Sequence, residues 1–261
     1  MEKSIFKSCL FLAVGITATM FYSCKNEDNG VENGKAPTIT ATNVLSTSSN
    51  VAISNVKAEI SWDSNDNSNY TIAQAQFKNN GFTLQLPATI AAQYLTPAFD
   101  TSSDDLTGIT ISDKNFQGNS PVFSAYDNND NELGSLDYAY TDPNGDGTSG
   151  VVAAWIYADR DVTIKGEQNY DYDTVDYNLT LKKGWNITYN SMTYSNNQST
   201  GIETYTYSLS SQKPSGVTLQ WYFSSVNYTA SLKSSKSLSK KMSFFRRLIS
   251  KTAPTDKLSQ Q

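Results

Sequence analysis

The chain contains no histidine, and its only two cysteines, Cys9 and Cys24, sit near its start. Beyond Cys24 there is neither an imidazole nor a thiol. That excludes Ser-His-Asp triads, Cys-His pairs, His-ligated metal sites and zinc–thiolate sites from the rest of the chain. Charged residues make up only 17%. They are also unevenly spread. Between Ala36 and Tyr228 there are 8 Lys and Arg against 20 Asp and Glu, a net of 8 − 20 = −12. After Tyr228 there are 8 basic residues against one Asp, a net of 8 − 1 = +7. A body so acidic argues against nucleic acid and other polyanions as its partner.

What is present begins with an export signal. Glu2, Lys3 and Lys7 make the first residues basic on balance, and an apolar run from Cys9 to Tyr22 follows, broken only by Thr17 and Thr19. The run has the length of a secretory signal core and is short for a bilayer span. Small Ser23 then precedes Cys24, so residues 1–23 read as a signal peptide and Cys24 as the first residue of the mature chain. The other use of the two cysteines, a Cys9–Cys24 disulfide, would place a bridge inside a signal peptide.

Phe21-Tyr22-Ser23-Cys24 resembles the lipobox of Bacteroidetes lipoproteins, with Phe where Leu is usual. The resemblance implies that Cys24 is diacylated on sulfur, by chains such as palmitate, and acylated on its new amino terminus. Two or more chains anchor stably, at about 0.8 kcal/mol per buried CH₂. Lys25-Asn26-Glu27-Asp28-Asn29 resembles the acidic tag that sends such lipoproteins to the outer face of the outer membrane. The implied location is the cell outer membrane, facing outside.

From about Asn29 to Ser49 the chain is Gly, Asn, Ser, Thr and Ala with little apolar content, the composition of a flexible tether, so residues 24–49 read as a lipidated tether. Residues 50–228 should form the folded part, long enough to bury one large core. The dominant period there is two. Val56, Ala58, Ile60 and Trp62 alternate with polar residues, as do Phe82, Leu84 and Leu86, then Leu136, Tyr138 and Tyr140. Tyr177, Leu179 and Leu181 repeat the pattern, followed by Trp185, Ile187 and Tyr189, by Tyr205, Tyr207 and Leu209, and by Val217, Leu219, Trp221 and Phe223. Such alternation marks strands with one buried face. Val151 to Tyr157 is apolar on both faces and reads as a central strand.

Turn chemistry separates these runs at Asn79-Asn80-Gly81, Asp127 to Asn131, Asp142 to Gly150, Lys183-Gly184 and Pro214-Ser215-Gly216. Thr89 to Leu95 reads as one short helical turn. Roughly eleven strands at this spacing predict an all-β fold, an antiparallel β-sandwich with a β-barrel as the alternative.

The body also resembles a family of uncharacterised Bacteroidetes lipoproteins. The matching pieces run from Gly81-Phe-Thr-Leu-Gln-Leu-Pro87 through Ile111 to Lys114, Ala125 to Asp127 and Glu132 to Gly134, then Ala158 to Gly166 and Leu181 to Asn186. They imply one domain and carry no activity with them.

Residues 229–261 are basic. Leu238, Met242, Phe245 and Ile249 fall on one helical face, and Lys236, Lys240, Arg247 and Lys251 on another. This is either a short amphipathic helix for a membrane surface or partner, or a polar tail whose apolar residues align by chance.

Three kinds of site are readable. Asp142, Asn144 and Asp146, with Gly147 next, match the first half of a calcium loop, but Ala153 stands where a bidentate Glu should close it. A looser Ca²⁺ site would need Asp127, Asp130 or another carboxylate from a neighbouring loop; otherwise the segment is an ordinary turn. Tyr170, Tyr172, Tyr177, Tyr205 and Tyr207, with Tyr189 and Tyr194, could stack on the sugar rings of a glycan or anchor a protein partner, or else simply serve as strand residues.

Asp159 with Asp161, or Asp171 with Asp173, are the acid pairs a glycosidase would need, and equally what a solvated strand edge carries. Asp173-Thr174-Val175 resembles the O-glycosylation signal of exported Bacteroidetes proteins. Together these features lead us to expect a non-catalytic, lipid-anchored surface module that binds a glycan or a protein. A structural role in envelope assembly by protein contact is the alternative, and a carboxylate hydrolase comes behind both.

Overall fold

The computed structural model describes residues 36–46, 51–61, 69–97, 106–141, 149–169, 173–197 and 202–225. In these, the alternating sequence becomes sixteen strands. The first eight are β1 (Thr38–Ala41), β2 (Leu45–Ser46), β3 (Asn55–Ser61), β4 (Asn69–Gln76), β5 (Phe82–Gln85), β6 (Thr96–Pro97), β7 (Ile109–Ile111) and β8 (Gln117–Asn119). The rest are β9 (Val122–Tyr126), β10 (Glu132–Thr141), β11 (Ser149–Ala158), β12 (Val162–Asn169), β13 (Asp173–Leu181), β14 (Gly184–Asn197), β15 (Ile202–Ser210) and β16 (Gln220–Ser225). The short helical turn is a 3₁₀ turn at Ala92–Tyr94, and the described residues contain no α-helix. The count exceeds the expected eleven because β1, β2, β6, β7 and β8 are two to four residues long, too short to show a period.

The fold is all-β, and its sheets do not close into a barrel. The main ladder runs β4-β3-β9-β10-β11-β14-β15-β13-β12-β7, with β16 on the other side of β10 and β1 paired with β5 apart from it. Pairing is antiparallel except for β13 with β15 and β16 with β2, which are parallel. This mostly antiparallel, two-ended arrangement is consistent with a β-sandwich.

Two cores explain why β11 is apolar on both faces. Trp155 and Tyr157 point into a first core with Val56, Ala58, Ile60, Phe123, Trp185, Trp221 and Phe223. Ile156 and Ala158 point into a second, with Val162, Ile164, Val175, Leu179, Leu181 and Leu209. Strands β11 and β12 stand four ladder steps apart, about 19 Å if the sheet were flat. Their side chains share one cluster, so the sheet from β11 to β12 curls over its own inner face.

The folded part starts earlier than Asn50. Ile39 and Ala41 of β1 and Val44 after it are buried in the first core, and β1 pairs with β5 from Thr38↔Gln85 to Ala41↔Phe82. The polar stretch read as tether therefore contributes a strand. Between Lys78 and Gly81, Asn79 and Asn80 both adopt positive φ (51° and 57°), as a type I′ hairpin demands. Gly81 itself is required for a different reason. A Cβ there would meet the Ala41 carbonyl at 2.2 Å.

Candidate functional site

β4 ends the ladder. It pairs with β3 from Asn55↔Gln76 to Ser61↔Asn69, and among the described residues no strand pairs with its other side. Its sequence, Asn69-Tyr-Thr-Ile-Ala-Gln-Ala-Gln76, carries no charge and no proline. Those are two of the features by which proteins usually protect a sheet edge. One protective feature is present, a register shift at Ala58/Glu59 that leaves Ile72 as the extra residue on β4.

An aromatic platform stands at the Asn69 end of this edge. Tyr70 stacks on Tyr94 with ring centroids 4.2 Å apart and planes 16° from parallel. A hydrogen bond between the two hydroxyls raises the Tyr70 pKa above that of an ordinary phenol. Tyr94 belongs to the 3₁₀ turn, and Asn119 fixes that turn in place. The Asn119 amide donates to the Tyr94 carbonyl at 2.7 Å and to the Ser61 carbonyl at 3.0 Å. Tyr70 and Leu45 are the exposed large hydrophobic side chains among the described residues, each 44% accessible.

The outer face behind the edge is a polar network. Glu59 is buried, and its two carboxyl oxygens accept from the Tyr126 hydroxyl at 3.0 and 2.9 Å. The Thr71 hydroxyl on β4 donates to Glu59 at 3.4 Å. Lys57 lies 4.0 Å above the Tyr126 ring and pairs with Asp130 at 2.7 Å. Burial first, and then the bond to Glu59, push the Tyr126 hydroxyl well above the ordinary phenol range. Every one of these groups is paired, so the network stiffens β3 and β9 behind β4.

The predicted tyrosines fall differently. Tyr177 is buried in the second core with its hydroxyl 3.0 Å from Gln168 Oε1, and Tyr207 is buried beside it. Their amphipathic rings are core residues, which corrects their reading as ligand-binding surface. Tyr205 is half-buried, 5.2 Å from half-buried Tyr194 and 6.5 Å from Tyr207. Burial, and then the neighbouring Asp173 carboxylate, push the Tyr207 hydroxyl up to about 12. Tyr170 and Tyr172 lie outside the described residues, as do Cys24, Asp142, Asn144 and Asp146.

The carboxylates proposed to complete a calcium site are already engaged. Asp127 accepts from the Asn129 and Asn131 backbone amides and from the Asn131 side chain, within its own turn. Asp130 is held by Lys57. Among the described residues no group of three or more acidic side chains is placed to hold a metal ion.

Of the acid pairs, Asp159 and Asp161 are likewise tied to cations. Asp159 pairs with Arg160 at 2.8 Å, and Asp161 with Lys182 at 2.8 Å. Asp171 is outside the described residues, and Asp173 sits in β13, opposite Tyr205. Thr174 of the glycosylation-like motif lies in the same strand, between β12 and β15, with its hydroxyl donating to Asn169 at 2.9 Å.

No protein-family model, no curated protein and no solved structure matches this chain.

Proposed function

We propose that this chain is an exported lipoprotein, held at the outer face of the outer membrane through Cys24, and that its β domain is a non-catalytic module that binds a partner protein. The observation that carries the binding half of this reading is β4. It is an eight-residue, uncharged strand that among the described residues is paired on one side only, with an exposed tyrosine at one end. Extended edges of this kind recruit other chains through backbone hydrogen bonds, which fix orientation whatever the partner's sequence. A tyrosine at the rim adds a rigid contact of low entropic cost.

The surface location draws on the sequence alone: the short apolar run, Ser23 before Cys24, and the acidic residues that follow. Labelled palmitate should join the wild-type chain and not Cys24→Ala, which should leave the membrane fraction. To test binding, a photo-crosslinking residue is placed at Gln74 in intact cells, with Asn178 on the far strand β13 as control. A discrete adduct at Gln74 that is absent at Asn178 supports the reading. Equal labelling at both positions, or none at either, overturns it.

Glycan binding keeps one supporting observation. The half-buried Tyr194 and Tyr205 rings lie together at one end of the β14–β15 hairpin, beside Asp173. Ring stacking with a flanking carboxylate suits a sugar. Glycan-array binding lost in Tyr205→Ala would favour this reading over protein contact.

A further inference from the structure

The residues along β4 also set the kind of chain it accepts. We infer that the β4 edge takes up one extended segment of another protein, with alternating apolar side chains and no acidic residue, as an added strand of the sheet. This rests on the protein-binding reading above and narrows it.

The inner face of β4 is made of small residues. Ile72, Ala73 and Ala75 pack partly buried against the first core, and Ala73 and Ala75 stand opposite Ala58 and Val56 of β3. A strand laid alongside at about 4.8 Å would send every second side chain over the same core. Ala73 and Ala75 offer such side chains small neighbours, toward the end where the Lys78–Gly81 turn leads the chain back into β5. Beside Tyr70 the inward side chain meets the exposed face of a ring already braced by Tyr94. Partner residues of alternating apolar character therefore match the inner face at Ala73 and Ala75, and the extra residue Ile72 shifts the match by one position on the way to Tyr70.

The outer face sets the charge. Gln74 stands opposite Lys57, whose ammonium is taken by Asp130, and Thr71 stands opposite Glu59. With the body at 8 − 20 = −12, an acidic donor segment would approach against repulsion, whereas a neutral or basic one would not.

A second copy of this chain fits less well. In antiparallel self-pairing about Ala73, that alanine would face its own copy and Ala75 would face Thr71. The inner face would stay underfilled, while two bodies of −12 each are brought together. A strand pair of this length also buries well under the roughly 1,200 Å² of a standard stable interface. That area suits one donated segment better than a rigid dimer.

The test uses the purified full chain in detergent and three labelled ten-residue peptides with blocked ends. The first alternates Val and Thr between terminal lysines. The second is the same peptide N-methylated at alternate residues, so that it cannot complete a ladder. The third has glutamates for the lysines. The inference expects the first to bind, and the second and third to bind at least tenfold more weakly. It also expects Ala73→Glu, but not Asn178→Glu, to cost at least tenfold.

Equal binding of the first two peptides, binding that survives Ala73→Glu, or no binding of the first peptide overturns it. A dimer whose formation depends on β4 would replace the donated segment with a second copy and overturn it too. The two readings fail separately. A persistent Gln74 adduct in cells with no peptide binding sinks strand addition alone, and peptide binding with no adduct in cells sinks the cellular partner alone.

Discussion

Asn119 holds Tyr94. The buried Asn119 amide donates 2.7 Å to the Tyr94 carbonyl, and that one bond sets the ring on which Tyr70 stacks. The second bond of the same amide, to the Ser61 carbonyl, ties the platform to the end of β3. Neither contact involves the β4 edge directly, yet both decide where its aromatic end points. Replacing Asn119 with Ala leaves two carbonyls without their donor and should cost about 1–3 kcal/mol. Thermal unfolding would show the loss, and faster modification of the Tyr70 hydroxyl by a water-soluble reagent would show the platform loosening. An unchanged Tm and unchanged Tyr70 reactivity would mean that Asn119 does not position the pair.

The network behind the edge gives a second expectation. Tyr126→Phe removes a donor that reaches both oxygens of buried Glu59. The variant should lose about 1–3 kcal/mol of stability. For a domain of this size that is a fall in Tm of roughly 2–12 °C. Tyr222→Phe, on a half-buried position of β16, serves as the control and should change little.

Close backbone approach makes a third. Gly166 holds φ at +118°, and a Cβ there would lie 2.1 Å from the Gly108 carbonyl of the segment leading into β7. Gly166→Ala should therefore cost several kcal/mol, through a backbone clash and a strained dihedral together. Gly216, also at positive φ but with open space around it, should tolerate Ala at the cost of the dihedral alone. Urea unfolding of the two variants side by side makes the comparison.

The titrating groups fix how stability depends on pH. Hydrogen bonds from Asn131 and Lys182 hold the Asp127 and Asp161 pKa values below the ordinary 3.8 in the folded state. The folded state then binds fewer protons than the unfolded one as pH falls through that value. Their contribution is complete above about pH 4 and is lost below it. At the alkaline end the sign reverses. Tyr207, pushed up to about 12, stays protonated after an unfolded tyrosine has ionised near 10, so stability should fall as pH rises through that interval. Ultraviolet titration in which Tyr207→Phe removes a phenol that ionises at about 12 would confirm that this ring is interior. A Tyr207 that ionised near 10 would return it to the surface.

Much of the architecture could be read from the alternation because alternation reports directly which side chains a sheet buries. Val175, Tyr177, Leu179 and Leu181 are buried, while Asp176, Asn178 and Thr180 are exposed, as the period of two requires. The two-faced apolar run in β11 was also readable, since each of its faces meets a different core. Other parts left no such trace. The four residues of β1 look like linker because only Ile39 and Ala41 turn inward, and its partner β5 is more than forty positions away. The parallel pairing of β13 with β15 is set by a curl that no local pattern announces.

The site was less legible still. Tyrosine favours strands whether its ring ends up buried or exposed, so the crowd from Tyr177 to Tyr207 looked like a surface and proved largely to be core. Tyr70, the exposed ring, sits among Asn, Ser and Thr, where nothing local marks it. Only its place at the end of the ladder, opposite Ile60 and against Tyr94, gives it a role.

Amide hydrogen exchange on the purified full chain tests the bare edge most directly. If β4 accepts another strand, its amides that do not bond to β3 should exchange orders of magnitude faster than those of β9 and β11. They should slow when the Val/Thr peptide is added, while β13 stays as it was. Protection across all of β4 equal to that of β11 before any peptide is present would mean the edge is already covered, and would contradict the account.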